Sequence, residues 1–453
     1  MRGRICLGNS GDLGIFVLIN SYELLTELCS AIDEMRTIGA SAPDRSFYDR
    51  KLASVWNRAK KSAAYGDLGD FSMAALRGRP VTTKDAIKSQ PWDYIVADLG
   101  AAAKYYETTG TSGQVTPTPR LAEDIIWNVA SVSAAWQDVL ADDDRVLVLL
   151  PSDVVPVADL IVNVCEHRGL VHTRAYPFAT GITDWDRLLG LFAVLRPTVV
   201  FAAPGVVMQL SRLLKQRGQL PDVSASVRSL MLLGEVSTAA MRERLGAWWG
   251  ATAFDASYGS TETGTLAATC VHGNLHLLLA ANHFELATGR GVVGLSEGDR
   301  GRLVVTPLNL HARPLIKLDT GDDVVVTAGC ACGSPAPVVT VSGRSAEALS
   351  LRGSALTLRA VEDVVYRASS STGYLIELDR DGGYGRLLLE RDIDADRATE
   401  PAQREAVQEA SATALGLRWD DVSFVNTLPA TTKSGGSQKS WKRSNIRIVE
   451  PAR

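Results

Sequence analysis

The sequence predicts an α/β protein: a large domain of mostly parallel sheets with helices plus an antiparallel subdomain, then a small α+β domain. Three observations lead there. Between residues 146 and 233, strand-like apolar runs alternate with helical patterns, which implies βαβ crossovers and a sheet covered on both faces. Residues 275–326 instead show short alternating strands separated by glycines, the pattern of antiparallel hairpins. After Gly343 a strand-and-helix pattern restarts at the scale of a small domain. The boundary is therefore expected at 342/343, giving a large domain over 1–342 and a small one over 343–453.

The elements follow in order. Residues 21–36 and, more weakly, 49–61 carry apolar side chains at helical spacing. A polar, small-residue stretch at 107–120 precedes an amphipathic run at 121–140. Strands are expected at 146–150, 170–176, 198–202 and 229–233, with helices between and after them at 157–167, 185–195 and 206–215. Residues 301–306 and 323–327 read as antiparallel strands. In the small domain, 358–366 and 402–415 read as helices and 385–390 and 422–426 as strands. Residues 431–443, rich in Ser, Gly, Lys and Arg, read as an exposed loop.

Composition excludes several classes. The chain has 453 residues, 46% hydrophobic and 22% charged, which is the profile of a soluble globular protein and not of a fibre or a disordered chain. With 47 Lys+Arg against 51 Asp+Glu, net −4, nothing in the charge balance points to nucleic acid. No run approaches the roughly 20 apolar residues needed to cross a bilayer, and the apolar patch at 15–20 lacks a cleavage signature. Six cysteines are too sparse for a disulfide scaffold and fit a reducing cytoplasm, with a metal as one use for them.

Residues 108–113 (Thr108, Thr109, Gly110, Thr111, Ser112, Gly113) combine two glycines, which let backbone approach a polyanion, with four hydroxyls that can donate to phosphate oxygens. By composition alone the stretch also reads as a flexible turn, and its spacing is not that of a Walker P-loop. In context, ETTGTSGQVTPTP at 107–119 resembles the phosphate-binding loop of the adenylate-forming (ANL) superfamily, in its phenylacetate–CoA ligase-like branch. Further motifs follow in the family's order: RPVTTKDAIK at 79–88, PTVVFAAPG at 197–205, Gly234-Glu235, YGSTE at 258–262, TGD at 320–322 and GRSAEALSLRG at 343–353. Each is weak alone; their order and spacing carry the resemblance.

The resemblance assigns roles that residue chemistry supports. Tyr258, beside Gly259, offers a ring on which adenine can stack, worth about 1 kcal/mol beyond burial. Gly234 and Glu235 line the acyl and adenine pocket, and Glu262 is the Mg²⁺ ligand beside the phosphates. Asp322 accepts from the ribose hydroxyls, and Arg344 brings a fixed charge to the ribose or phosphate. Glu347 falls at the hinge of a mobile C-terminal domain. The implied reaction is attack of a carboxylate on the α-phosphate of ATP, which needs positioning and charge neutralisation more than a protein nucleophile.

Two departures stand out. Gln114 occupies the position where relatives place lysine, and Gly436 the position of the C-terminal catalytic lysine. Lys433 and Lys439 flank that gap; Lys439 is the first candidate and Lys433 the second, against the bland reading of both as solvated lysines.

Cys270, His276, Cys330 and Cys332 supply three thiols and an imidazole, a set suited to tetrahedral zinc, with His272 as a competing ligand. Spacing alone leaves unpaired buried cysteines as an equal reading; the resemblance tips it, because relatives in this branch share the pattern and several hold zinc there. A closed four-ligand site is structural.

The expected activity is ATP-dependent adenylation of a carboxylic acid, with transfer of the acyl group to a thiol. The resemblance implies an aromatic or otherwise unsaturated acid, and coenzyme A or the phosphopantetheine of an acyl carrier protein. Two rivals stand: transfer to a nitrogen nucleophile, and a nucleotide-binding regulatory protein without turnover, which Gly436 keeps open.

Overall fold

The computed structural model describes residues 19–39, 41–108, 115–177, 183–235, 237–295, 299–343, 349–429 and 445–449. The chain divides into two compact units: Met1–Arg174 with Ala256–Ser342, and Ala175–Asp255 with Gly343–Arg453. Among the described residues no helix is long and apolar enough to cross a membrane.

The first unit opens with helices Tyr22–Gly39 and Arg45–Ala59, the second started by Asp44, whose carboxylate accepts the Phe47 N–H. Phe47, Leu52, Val55 and Trp56 form its buried stripe and pack with Leu308 and Ile316. Strands Arg145–Leu149 and Val171–Arg174 pair in parallel around the helix Val157–His167, one of the expected βαβ units. The antiparallel expectation is met by an eight-stranded sheet running, in spatial order, Gly291–Gly294, Asn282–Thr288, Arg300–Pro307, Leu318–Thr327, Val338–Gly343, Leu275–Leu277, Gly264–Thr269 and Ser257–Ser260. Alternate side chains of these strands (Leu266, Leu277, Phe284, Leu286, Leu303, Val305, Val324) build its core.

The polar, small-residue stretch at 107–120 includes parts of two strands. Lys104–Thr108 and Thr116–Arg120 form an antiparallel hairpin in the register Thr108↔Thr116 to Lys104↔Arg120. Two prolines hid the second strand. In a two-stranded ribbon both strands are edges, so Pro117 and Pro119 forfeit no sheet partner on the outer side.

In the second unit the strands Val199–Ala202, Ser229–Leu232 and Thr252–Asp255 pair in parallel. A four-stranded mixed sheet runs Asp421–Val425, Gly385–Glu390, Gly373–Leu378, Ile446–Ile448, with helices Leu358–Ala368 and Glu400–Leu415. Charged anchors tie this unit together: Arg212 to Glu390 at 2.5 Å, Lys215 to Asp392 at 2.6 Å, and the Thr238 N–H to the Glu362 carboxylate at 3.0 Å.

Buried titratable groups give the units opposite acid responses. In the first, burial pushes His283 and His311 from 6.5 down to about 4. Unfolded chain then binds the extra protons between those values, so stability is lost as pH falls through that window, by up to about 3 kcal/mol per histidine. In the second, burial pushes Glu362 from 4.5 up to about 7 and Asp255 from 3.8 to about 6. Those folded values are raised, so their contribution is lost as pH rises from near 4 toward 7. The His283→Gln/His311→Gln double variant is expected to flatten the acid limb of a thermal-midpoint-against-pH curve; an unchanged limb would refute the assignment.

Candidate active site and metal centre

The hairpin that carries the glycine-rich segment is held on three sides. The Glu107 N–H donates to Val154 O (2.8 Å), and Tyr106 Oη and Lys104 Nζ both reach Asp159 (2.9 and 2.8 Å). At its far end Arg120 Nη2 donates to Thr261 O (2.7 Å) and Glu262 O (3.1 Å). From another direction Arg313 Nη1 donates to Pro117 O (2.8 Å). The hairpin is thereby fixed against the turn that carries Glu262.

That turn is shaped by small residues. A Cβ on residue 259 would collide with the Gly264 carbonyl, so the strand irregularity between Tyr258 and Gly259 requires glycine. Ser260 Oγ accepts the Thr263 N–H at 3.3 Å and closes the turn. Glu262 is buried. Burial pushes its carboxyl up, but Lys84, its own backbone N–H, Arg313 and Ser260 outweigh that and hold it below the ordinary glutamate value. Lys84 gets there because Thr82 pairs with the Leu318–Thr327 strand and Thr83 caps the short helix Lys84–Ser89.

Tyr258 Oη donates to Asp322 Oδ2 at 2.8 Å, joining the expected adenine platform to the expected ribose acceptor across 64 residues of sequence. Asp322 follows Gly321, whose φ of +71° lies at a register irregularity within the strand Leu318–Thr327, and its N–H donates to Thr320 Oγ1 at 3.2 Å. Thr108, Tyr258, Gly259, Glu262 and Asp322 all lie in the first unit. Gly234 and Glu235 lie in the second, where Glu235 Oε2 accepts the Gly205 N–H (3.3 Å). Thr109, Gly110, Thr111, Ser112, Gly113, Arg344, Glu347, Lys433 and Lys439 fall outside the described residues.

Sequence reasoning passed over Lys84, Arg120, Arg313 and Asp124. Lys84 stood within a quoted motif. The two arginines carried no signal, because an arginine beside proline or at a strand end reads as solvent-facing.

Cys270, His276, Cys330 and Cys332 place one ligand atom each within 4.8 Å of one another, and His272 is not among them. Cys270 Sγ and Cys330 Sγ are 3.8 Å apart, and Cys332 Sγ lies 3.3 Å from His276 Nε2. A tetrahedral zinc with bonds of about 2.3 Å to sulfur and about 2.0 Å to nitrogen sets edges of about 3.8 and 3.5 Å. His276 Nδ1 lies 2.7 Å from Ala336 O, so with its proton there the Nε2 lone pair is left facing the sulfurs. Asn274 donates to Cys330 Sγ (3.3 Å) and the Ser334 N–H to Cys332 Sγ (3.5 Å), as thiolates require. The donor set fits zinc.

No protein-family model matches the chain. The chain has the fold of a solved acid–CoA ligase: it superimposes on a 2-hydroxyisobutyryl-CoA ligase in complex with 2-HIB-AMP with a TM-score of 0.72, at 17% identity, over 94% of this chain and 89% of that one. ATP-bound MatB from Rhodopseudomonas palustris gives a TM-score of 0.52 at 19% identity, over 75% of this chain and 67% of that one. In sequence the chain is distantly similar to phenylacetate-coenzyme A ligases. It is 24% identical over 350 residues to that of Aromatoleum evansii and 24% over 349 residues to that of Escherichia coli K12, covering in each case 74% of this chain and 77% of the relative.

Proposed function

We propose that the chain is an ATP-dependent carboxylic acid ligase of the AMP- and pyrophosphate-forming type. The observation that carries this reading is that Arg120 ties the hairpin to the turn of the buried, ionised Glu262, with the Tyr258–Asp322 pair in the same unit. In the first step a substrate carboxylate oxygen attacks the α-phosphorus of ATP, the bond to the bridging oxygen breaks, and pyrophosphate leaves. In the second a thiol attacks the acyl carbon and AMP departs with the bonding pair. Tyr258 and Asp322 orient the nucleoside, and the hydroxyls and N–H groups of residues 108–113 hold the phosphates. Glu262 would hold Mg²⁺, which supplies charge neutralisation at the phosphates. The division into a 1–342 domain and a mobile 343–453 lid, and a cytoplasmic location, belong to this proposal.

Similarity to phenylacetate-coenzyme A ligases supports an aromatic acid substrate and coenzyme A, or a carrier-protein phosphopantetheine, as acceptor. Pyrophosphate exchange with a panel of carboxylic acids tests the reading: exchange with any acid supports it, and ATP binding without exchange supports the regulatory rival.

The tail lysines give a second test. A lysine that contacts the α-phosphate only in the first transition state lowers the adenylation rate with little change in ATP affinity. Lys439→Ala is expected to slow adenylation severely and Lys433→Ala less, with neither blocking thioester formation from supplied acyl-adenylate. Normal adenylation by the double variant would remove both from catalysis.

A further inference from the structure

Two arginines, one ending the hairpin and one packed against it, are buried with donors to spare. Arg313 is 0% exposed and Arg120 6% exposed, and each interacts with the other's charge. Among the described residues neither forms a salt bridge. Arg120 Nη2 is spent on Thr261 O and Glu262 O, and Arg313 Nη1 on Pro117 O. Among the described residues Arg120 Nη1, Arg313 Nε and Arg313 Nη2 have no hydrogen-bond partner, and neither has the hydroxyl of Thr116, which is 1% exposed. Thr116 and Arg120 lie four residues apart on one strand, hence on the same face, and Arg313 bonds the residue between them.

The nearest acids do not use these donors. Asp124 is taken up by three backbone N–H groups, from Leu121 (2.9 Å), Ala312 (3.3 Å) and His311. Glu262 meets Arg120 through its carbonyl oxygen, not its carboxylate. Burying an unpartnered guanidinium N–H is costly, so such groups point to a missing anion or water. A guanidinium fork matches phosphate oxygens two at a time.

We propose that Arg120, Arg313 and Thr116 form a binding site for the pyrophosphate portion of the nucleotide, supplying the positive charge that Gln114 does not. This rests on the ligase reading for its place in the reaction but not for anion binding itself. Three donors from two forks give the site a preference for a dianionic or polyanionic oxyanion over a carboxylate.

The test uses the full-length chain and inorganic pyrophosphate as probe, read by thermal shift and calorimetric titration. Arg313→Met and Arg120→Met remove the forks at similar volume, and Arg313→Lys keeps a charge without the fork. The expected result is that wild type binds pyrophosphate, that each Met variant binds about tenfold or more weakly, and that the Lys variant is intermediate. If the Met variants do not fold, Arg313→Lys and Thr116→Val carry the test, with weakened binding again expected. Wild-type affinity in the folded variants would overturn the proposal and assign the orphan donors to water.

Pyrophosphate exchange separates the two claims. Exchange by wild type with unchanged pyrophosphate affinity and KM for ATP in the variants rejects the anion site and leaves the ligase standing. Arginine-dependent binding without exchange for any acid upholds the site and rejects the ligase.

Discussion

Glu262→Gln is expected to lower acyl-adenylate formation by about 10²–10³-fold, the scale of losing one charged group aimed at a reacting centre. The substitution preserves shape and removes charge. Glu262 is buried, and its backbone is held by Arg120, so the side chain cannot swing elsewhere to compensate. Its carboxyl is kept ionised by Lys84 and Arg313 against the pull of burial. A metal ligand at that position must be ionised at neutral pH, and glutamine is not. Stability should fall modestly at neutral pH, where the fold favours the ionised carboxylate. A group whose folded value is depressed contributes stability above its unfolded value and loses it as pH falls through the folded one, so the variant should lose most of its deficit in acid. Thioester formation from supplied acyl-adenylate should persist. Near-normal adenylation at saturating Mg²⁺ would remove Glu262 from the metal.

Metal analysis of the purified protein is expected to give about one zinc per chain, and Cys332→Ser to lower both zinc content and the thermal midpoint. The segment carrying Cys330 and Cys332 has no apolar core of its own: Ala328, Gly329, Ala331, Gly333 and Pro335 are all exposed. Its fixed points are the Cys330–Gly333 turn, in which Gly333 takes φ +78°, and the His276↔Val338 pairing. A metal bound by the four ligands would do there what buried side chains do elsewhere. A loss of about 3 kcal/mol would lower the midpoint by roughly 5 °C in a body of this size. Chelation of the wild type should reproduce the effect. A metal-free protein of unchanged stability would sink the assignment.

How much of this was legible in the sequence varied with the range of the interaction. The helices Val157–His167 and Trp185–Leu195 and the strand Gly385–Glu390 end where periodicity places them. Helix and strand ends elsewhere moved by a few residues, because fraying and capping decide them. The strand Thr116–Arg120 was hidden because proline argues against a strand until the strand is known to be an edge. His276 is the expected ligand with His272 its competitor by chemistry; the pairing of Leu275–Leu277 with Gly264–Thr269 puts His276 beside the sulfurs.

By itself the sequence determined what depends on neighbours along the chain: the alternation of strand and helix, the antiparallel segment, the glycines and hydroxyls of residues 108–113 and the Cys₃His ligand types. Only the tertiary structure decided which distant groups meet. Tyr258 bonds Asp322 because two strands of one sheet bring them within 2.8 Å. Arg313 reaches Pro117 from 196 positions away, and Arg120 reaches Thr261 from 141. Burial turns those arginines from solvated charges into groups that need partners, and burial is a property of the packed chain. Local periodicity and side-chain chemistry are written residue by residue; register and burial are fixed only when every segment packs at once.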